Sequence, residues 1–222
     1  MRQGELFGSG AGLTGDGAAA PVAPVLQREQ LQRWQQDLGR HQLPLFRGEG
    51  PGSGQSDLFA GANGDQEAAA INPLTLRAQP LSFWRWPQPP QQGAALYFVL
   101  DSFVLDSVNA GSDGTGADDP TIHGDPAAKL QPLLLYVGET GRADRRWKGE
   151  HDCKGYLAAY SEALSRAGLR CQLSIRFWLD VPTSIRARRA LEQRLIQRWL
   201  PPFNKETRQR WATPFTALAE GA

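Results

Sequence analysis

Three separated segments of strand character limit what this chain can fold into. They are "AALYFVLDSFVL" (94–105), "LLLYVGET" (133–140) and "CQLSIRFWLDV" (171–181). Each is short, rich in β-branched and aromatic residues and bounded by turn residues. The second half of the first segment reads either as a continuation or as a separate short piece. Between the first two lies "DSVNAGSDGTGADDPTIHGDPAAKLQP", a loop by every turn signal. Residues 142–168 read as mostly helical, in one piece or two. Thr183 or Ser184 is placed to cap a last helix running to about Trp199, which Pro201 and Pro202 stop. The expectation is an α/β fold: a small antiparallel β-sheet flanked by helices, preceded by a largely disordered N-terminal arm.

Composition divides the chain along the same line. Residues 129–222 carry 17 Lys/Arg against 9 Asp/Glu, and residues 1–128 carry 7 against 14. A basic half invites a polyanion, since each neutralised phosphate releases counterions, although a solvated basic surface has the same composition. Residues 1–25 are Gly/Ala-rich without periodicity, and the arm is expected to extend over 1–79. Within it, "LQREQLQRWQQDLGR" places Leu31, Trp34 and Leu38 at helical spacing, so a short helix is expected over about 26–40, ended by Gly39. A proline- and aromatic-rich linker (80–92) leads to a domain at 93–205 with an inserted loop at 107–128, and a tail follows at 206–222. Two cysteines are too few for a disulfide framework, and no run approaches membrane length. A soluble protein of the reducing cytoplasm is expected.

Several polar residues sit where apolar ones are expected. In the last helix Leu191, Leu195, Ile196 and Trp199 form a stripe that Glu192 borders or enters. That carboxylate is either a salt-bridge partner of Arg188 or Arg189, or a ligand for a hard divalent cation at a phosphate site. Asn204, in "LPPFNKE", is either a turn residue or an amide fixed in a site. Tyr97 and Tyr136 are single hydroxyls in apolar strands, a setting in which most tyrosines are core residues. After Tyr136 the strand breaks at Gly138, expected to turn the backbone tightly, and opens into "RADRRWKGEH". His151, Asp152 and Cys153, with Cys171, fit no established zinc spacing.

Two strand tyrosines, a glycine, an arginine-rich helix, a helix carboxylate and a late asparagine, in that order, resemble the GIY-YIG nuclease family. "ALY" (95–97) stands where the family has GIY, "YVG" (136–138) where it has YIG, and "RRWKGEH", "LEQRLI" and "PPFN" supply Arg146, Glu192 and Asn204. The first motif has Ala95 for glycine, and 38 residues separate the two tyrosines where the family has a tight hairpin. The resemblance implies a DNA endonuclease in which Glu192 binds one Mg²⁺ or Mn²⁺. Tyr97 takes the proton of the attacking water, Arg146 neutralises phosphorus-bound charge, and Asn204 and Tyr136 complete the site. Nucleic-acid contacts are expected from Gly138, Arg142, Arg145, Lys148 and His151. Arg188, Arg189, Arg194 and Arg198, all on the last helix, are expected to join them, placing the protein at the nucleoid. An inactive nucleic-acid-binding module and a partner-binding protein are the competing classes.

The arm carries a degenerate repeat: "QGELF" (3–7), "QLPLF" (42–46) and "QSDLF" (55–59). It resembles the peptide by which bacterial proteins dock on the sliding clamp. The resemblance implies that Leu45 and Phe46 fill an apolar pocket while Gln42 bonds at its edge. The competing expectation is that these pairs fold back onto the protein's own domain or reflect biased composition.

Overall fold

The computed structural model describes residues 26–49, 64–81, 93–104, 130–143, 152–213 and 215. Its centre is an antiparallel sheet of β1 (Gln79–Pro80), β2 (Ala95–Val104), β3 (Leu130–Thr140) and β4 (Ser174–Trp178), in the order β1-β4-β2-β3. Helices cover both faces, so the molecule is a mixed α/β fold built on a small antiparallel sheet. β2 is continuous, and its register with β3 shifts between Val99 and Leu100, where Leu135 is the extra residue of a bulge. As β2 is central and covered on both faces, Ala95–Leu100 is an unbroken buried run rather than an alternating one.

Pleating sorts the side chains into two cores. Tyr97, Val99, Phe103, Leu133 and Leu135 pack with α3 (Asp152–Arg166) and with Phe203. Leu96, Phe98, Leu100, Leu134 and Val137 pack beneath α4 (Ile185–Trp199), through Leu191, Leu195, Ile196 and Trp199. A short helix, α2 (Gly64–Ala70), adds Ala68 to this second core. Gly168, at φ 65°, ends α3: the Gly168 and Leu169 N–H groups donate to the Ser165 and Leu164 carbonyls.

The folded unit begins well before residue 93. Helix α1 (Arg28–Phe46) is 19 residues long and contributes Leu31, Trp34 and Leu38 to the first core, Leu45 and Phe46 to the second. It therefore crosses the β3 edge of the sheet, passing from one face to the other. Each such side chain contributes about 1.5–3 kcal/mol of burial, which makes α1 part of the domain and not of an arm. Gly39 does not end it. A Cβ there would lie 3.4 Å from the Phe103 ring, so this glycine marks close approach of helix and sheet. The stop is Gly48, at φ 79°, with the Gly48 and Glu49 N–H groups donating to the Leu45 and Pro44 carbonyls. At the other end the unit runs past residue 205: Phe215 is buried edge-on to Trp34 and Tyr160, each at 5.3 Å.

A polar cluster lies inside the first core. Asp101 accepts hydrogen bonds from the Tyr160 hydroxyl (2.7 Å), the Gln172 N–H (2.6 Å) and the Ser102 N–H (2.8 Å). Gln35 on α1 donates to the Tyr160 hydroxyl at 2.7 Å. Burial raises the Asp101 carboxyl above its ordinary 3.8, and the hydrogen bonds from Tyr160, Gln172 and Ser102 pull it partly back. The folded state thus holds this proton more tightly than the unfolded chain. The resulting stability is fully present below pH 3.8 and is lost as pH rises through the raised value. Denaturant unfolding at a series of pH values from about 4 upwards should show this decline in the wild type and a flatter profile in Asp101→Asn. Parallel profiles would contradict the assignment.

Candidate active site at the outer edge of the sheet

Among the described residues strand β3 pairs with β2 on one side only, and an unpaired edge presents N–H and C=O groups that need partners. Side chains satisfy much of this one. The Gln42 carboxamide accepts from the Leu134 N–H (2.8 Å) and donates to the Leu134 carbonyl (2.9 Å) and to the Trp199 carbonyl (3.0 Å). Phe203 N–H donates to the Leu135 carbonyl at 3.1 Å. Asn204 repeats the amide pattern, accepting from the Val137 N–H (3.0 Å) and donating to its carbonyl (2.8 Å). Glu192 Oε1 accepts from the Glu139 N–H at 2.9 Å. Asn204 is therefore a fixed, buried amide rather than an exposed turn residue.

Tyr97 lies opposite Gly138 in the β2–β3 register. Gly138 does not turn the chain, since β3 continues to Thr140. Its role is steric. A Cβ there would fall 2.3 Å from Tyr97 Cζ and 2.4 Å from its hydroxyl oxygen, so the far end of the Tyr97 ring rests on the bare glycine. Tyr97 is 1% exposed and Tyr136 half-buried, with their rings 5.9 Å apart and inclined by 30°. Three residues expected from sequence thus meet over one short stretch of β3: Asn204 at Val137, the Tyr97 ring on Gly138 and Glu192 at Glu139.

The arginines on α4 divide. Arg188, expected among the nucleic-acid contacts or as the ion-pair partner of Glu192, is 4% exposed. Its Nε donates to Glu139 Oε1 at 2.8 Å, and its Nη1 to the Pro182 and Thr183 carbonyls. It is an internal strut, already occupied, and is withdrawn from the nucleic-acid contacts. Its ion-pair partner is Glu139, so the pairing with Glu192 that sequence spacing allowed does not form. Arg188 and Glu192, one turn apart, instead hold the side chain and the backbone of the same residue. Arg189 and Arg142 are exposed, while Arg194 and Arg198 are partly buried. Arg145, Arg146, Lys148 and His151 lie outside the described residues, as does the 107–128 insertion.

The donor set can be tested against the expected cation. No group of three or more His, Cys, Asp or Glu side chains converges among the described residues, from which His151 is absent. Mg²⁺ requires less from the protein, because it keeps several waters and binds through one or two carboxylates plus substrate phosphate. Glu192, a carboxylate held at the sheet edge by the Glu139 N–H, is of the type that requirement calls for. Cys171 is no nucleophile: burial and the Asp101 carboxylate push its thiol up to about 12. Cys153 is buried.

The "QLPLF" segment folds back. Gln42 is fully buried, Leu45 and Phe46 are buried, and the Phe46 ring lies 4.6 Å from that of Trp199. In this fold the copy at 42–46 is not available to a partner, because presenting it would open the second core. The copies at 3–7 and 55–59 lie outside the described residues.

Sequence reasoning missed the strand-edge role of Gln42, which it placed in a docking peptide, the Glu139–Arg188 pair and the Asp101 cluster. A signal existed for the last, an aspartate inside the apolar run "FVLDSFVL". Comparison of the chain with protein-family models, curated proteins and solved structures gave no match. Among the described residues no helix is long and apolar enough to cross a membrane.

Proposed function

We infer that the β3 edge is the catalytic site of a metal-dependent DNA endonuclease of GIY-YIG type, acting in the cytoplasm at the nucleoid. The observation that carries this reading is the meeting of Asn204, the Tyr97 ring and Glu192 over Val137, Gly138 and Glu139. Glu192 is the residue that would hold Mg²⁺ or Mn²⁺, and such an ion supplies neutralisation of the scissile phosphate. Tyr97, its ring seated on Gly138, would take the proton of the attacking water as the tyrosinate and become the neutral phenol. An ordinary tyrosine, with a pKa of about 10, is a weak base at neutral pH, so Tyr97 works only beside positive charge. Arg146 supplies a guanidinium against the charge developing on phosphorus. Arg142 and Arg189, with Arg194, Arg198, Arg145, Lys148 and His151, give sequence-independent contacts to the DNA backbone. Docking on a sliding clamp, in this reading, belongs to the segments at 3–7 and 55–59.

One observation favours a second reading, a binding module without catalysis. Glu192 and Asn204 both satisfy backbone groups of β3, and that duty alone is a reason to retain them. Tyr97→Phe separates the two readings. It removes only a hydroxyl, so folding and DNA affinity should persist while turnover falls roughly 10²–10⁴-fold. A Tyr97→Phe variant cutting at the wild-type rate would take the base role from Tyr97, leaving Tyr136 as the next hydroxyl to test.

A further inference from the structure

Tyr136 is bracketed from outside the sheet by two side-chain amides that do the same thing. On one side Asn204 holds both backbone groups of Val137. On the other, beyond the bulge at Leu135, Gln42 holds both backbone groups of Leu134 and ties them to the last turn of α4 through the Trp199 carbonyl. A bulge lets a strand bend and re-aims the side chains beside it, so its geometry needs fixing from somewhere. β2 fixes it from inside, and the amide pair fixes it along the open edge. Asn204 belongs to the segment following α4, whereas Gln42 arrives from α1, 92 residues away from Leu134 in sequence.

We propose that Gln42 is a positioning residue for the Tyr136 side chain: by clamping Leu134 across the Leu135 bulge it sets the direction in which Tyr136 enters the site beside Tyr97. As a statement about catalysis this rests on the nuclease reading, because Tyr136 matters to turnover only where the edge is catalytic. Helix α1 then has a functional as well as a packing role. Gln42 fills the edge with an amide that matches the strand's own alternation of acceptor and donor, which neither leucine nor glutamate does at neutral pH.

Gln42→Met tests this, being close to isosteric and a good helix former that cannot hydrogen-bond Leu134. The measurements are single-turnover and steady-state cleavage of DNA with Mg²⁺, together with the ¹³Cζ resonance of Tyr136 in tyrosine-labelled protein. The expected result is a kcat lower by about 10–100-fold with KM for DNA little changed, since small misplacements near a reacting centre act on turnover. The Tyr136 resonance should shift or broaden. An unchanged kcat in a folded variant, or an unmoved Tyr136 resonance, overturns the proposal. If the wild type cleaves no DNA, the nuclease reading has failed, and the resonance alone then decides whether Gln42 positions Tyr136. Should Gln42→Met not fold, Gln42→Glu serves, because a carboxylate keeps the acceptor for the Leu134 N–H and regains a donor only when protonated. Its Tyr136 resonance should approach the wild-type position as pH falls, and a pH-independent resonance counts against the clamp.

Discussion

Glu192→Gln should abolish cleavage, with turnover lowered by roughly 10³-fold or more, while the variant folds and binds DNA as the wild type does. An ion bound by this carboxylate is worth several kcal/mol of transition-state stabilisation, and each 1.36 kcal/mol is a factor of about ten in rate. Glutamine is the informative substitution because Glu192 Oε1 accepts the Glu139 N–H at 2.9 Å, and a side-chain amide oxygen keeps that bond. Alanine removes the bond as well, leaving a strand-edge donor without its partner at about 1–3 kcal/mol if water cannot reach it. The two variants therefore differ in stability and agree in lost turnover. A Glu192→Gln variant that cuts at the wild-type rate would remove the carboxylate from the chemistry and leave it as an edge cap.

Gly138→Ala should damage both fold and function. The added methyl would sit 2.3 Å from Tyr97 Cζ, a distance at which something must move. Tyr97 is boxed in by Tyr136 and by Phe177, whose ring centroid is 6.0 Å away, so the ring has little room to retreat. Overpacking of this kind destabilises by typically about 1–3 kcal/mol, occasionally more, and turnover should fall further because Tyr97 is displaced. Urea titration of the variant measures the first effect. A midpoint equal to that of the wild type would show that the ring yields freely and that the glycine is not required for packing.

Sequence reading found what depends on short-range pattern. The three strands and the last helix appear near where periodicity and turn residues place them. β3, however, begins at Leu130 inside the segment read as loop, β4 covers only Ser174–Trp178 of the expected 171–181, and Ser184 stands at the N-cap without a side-chain hydrogen bond. It failed where the deciding contact comes from far away along the chain. Gly39 and Gly48 are both glycines after helical pattern, and only the sheet beneath α1 shows that the first is a packing contact and the second the stop. Gly138 likewise looks like a turn residue until the β2 register puts Tyr97 above it. Arg188 stands three, seven and eleven residues before Leu191, Leu195 and Trp199, so helical spacing puts it on the buried face, but nothing local says that Glu139 and two carbonyls at 182 and 183 receive its charge there. Gln35 looks like solvated surface because nothing local says that it meets a buried tyrosine, and Gln42, expected at the edge of a partner's pocket, meets a strand edge of its own fold instead. For the site itself, residue types and order were legible, and the spatial meeting at Val137–Glu139 was not.

The central claim is that this edge hydrolyses phosphodiester bonds, and the direct test is incubation of supercoiled, linear and branched DNA with the purified chain in Mg²⁺, in Mn²⁺ or in EDTA. The account predicts nicked or cut product from at least one of these substrates with either ion, and none with EDTA. Intact DNA of all three forms with both ions, or cleavage undiminished by EDTA, would contradict it.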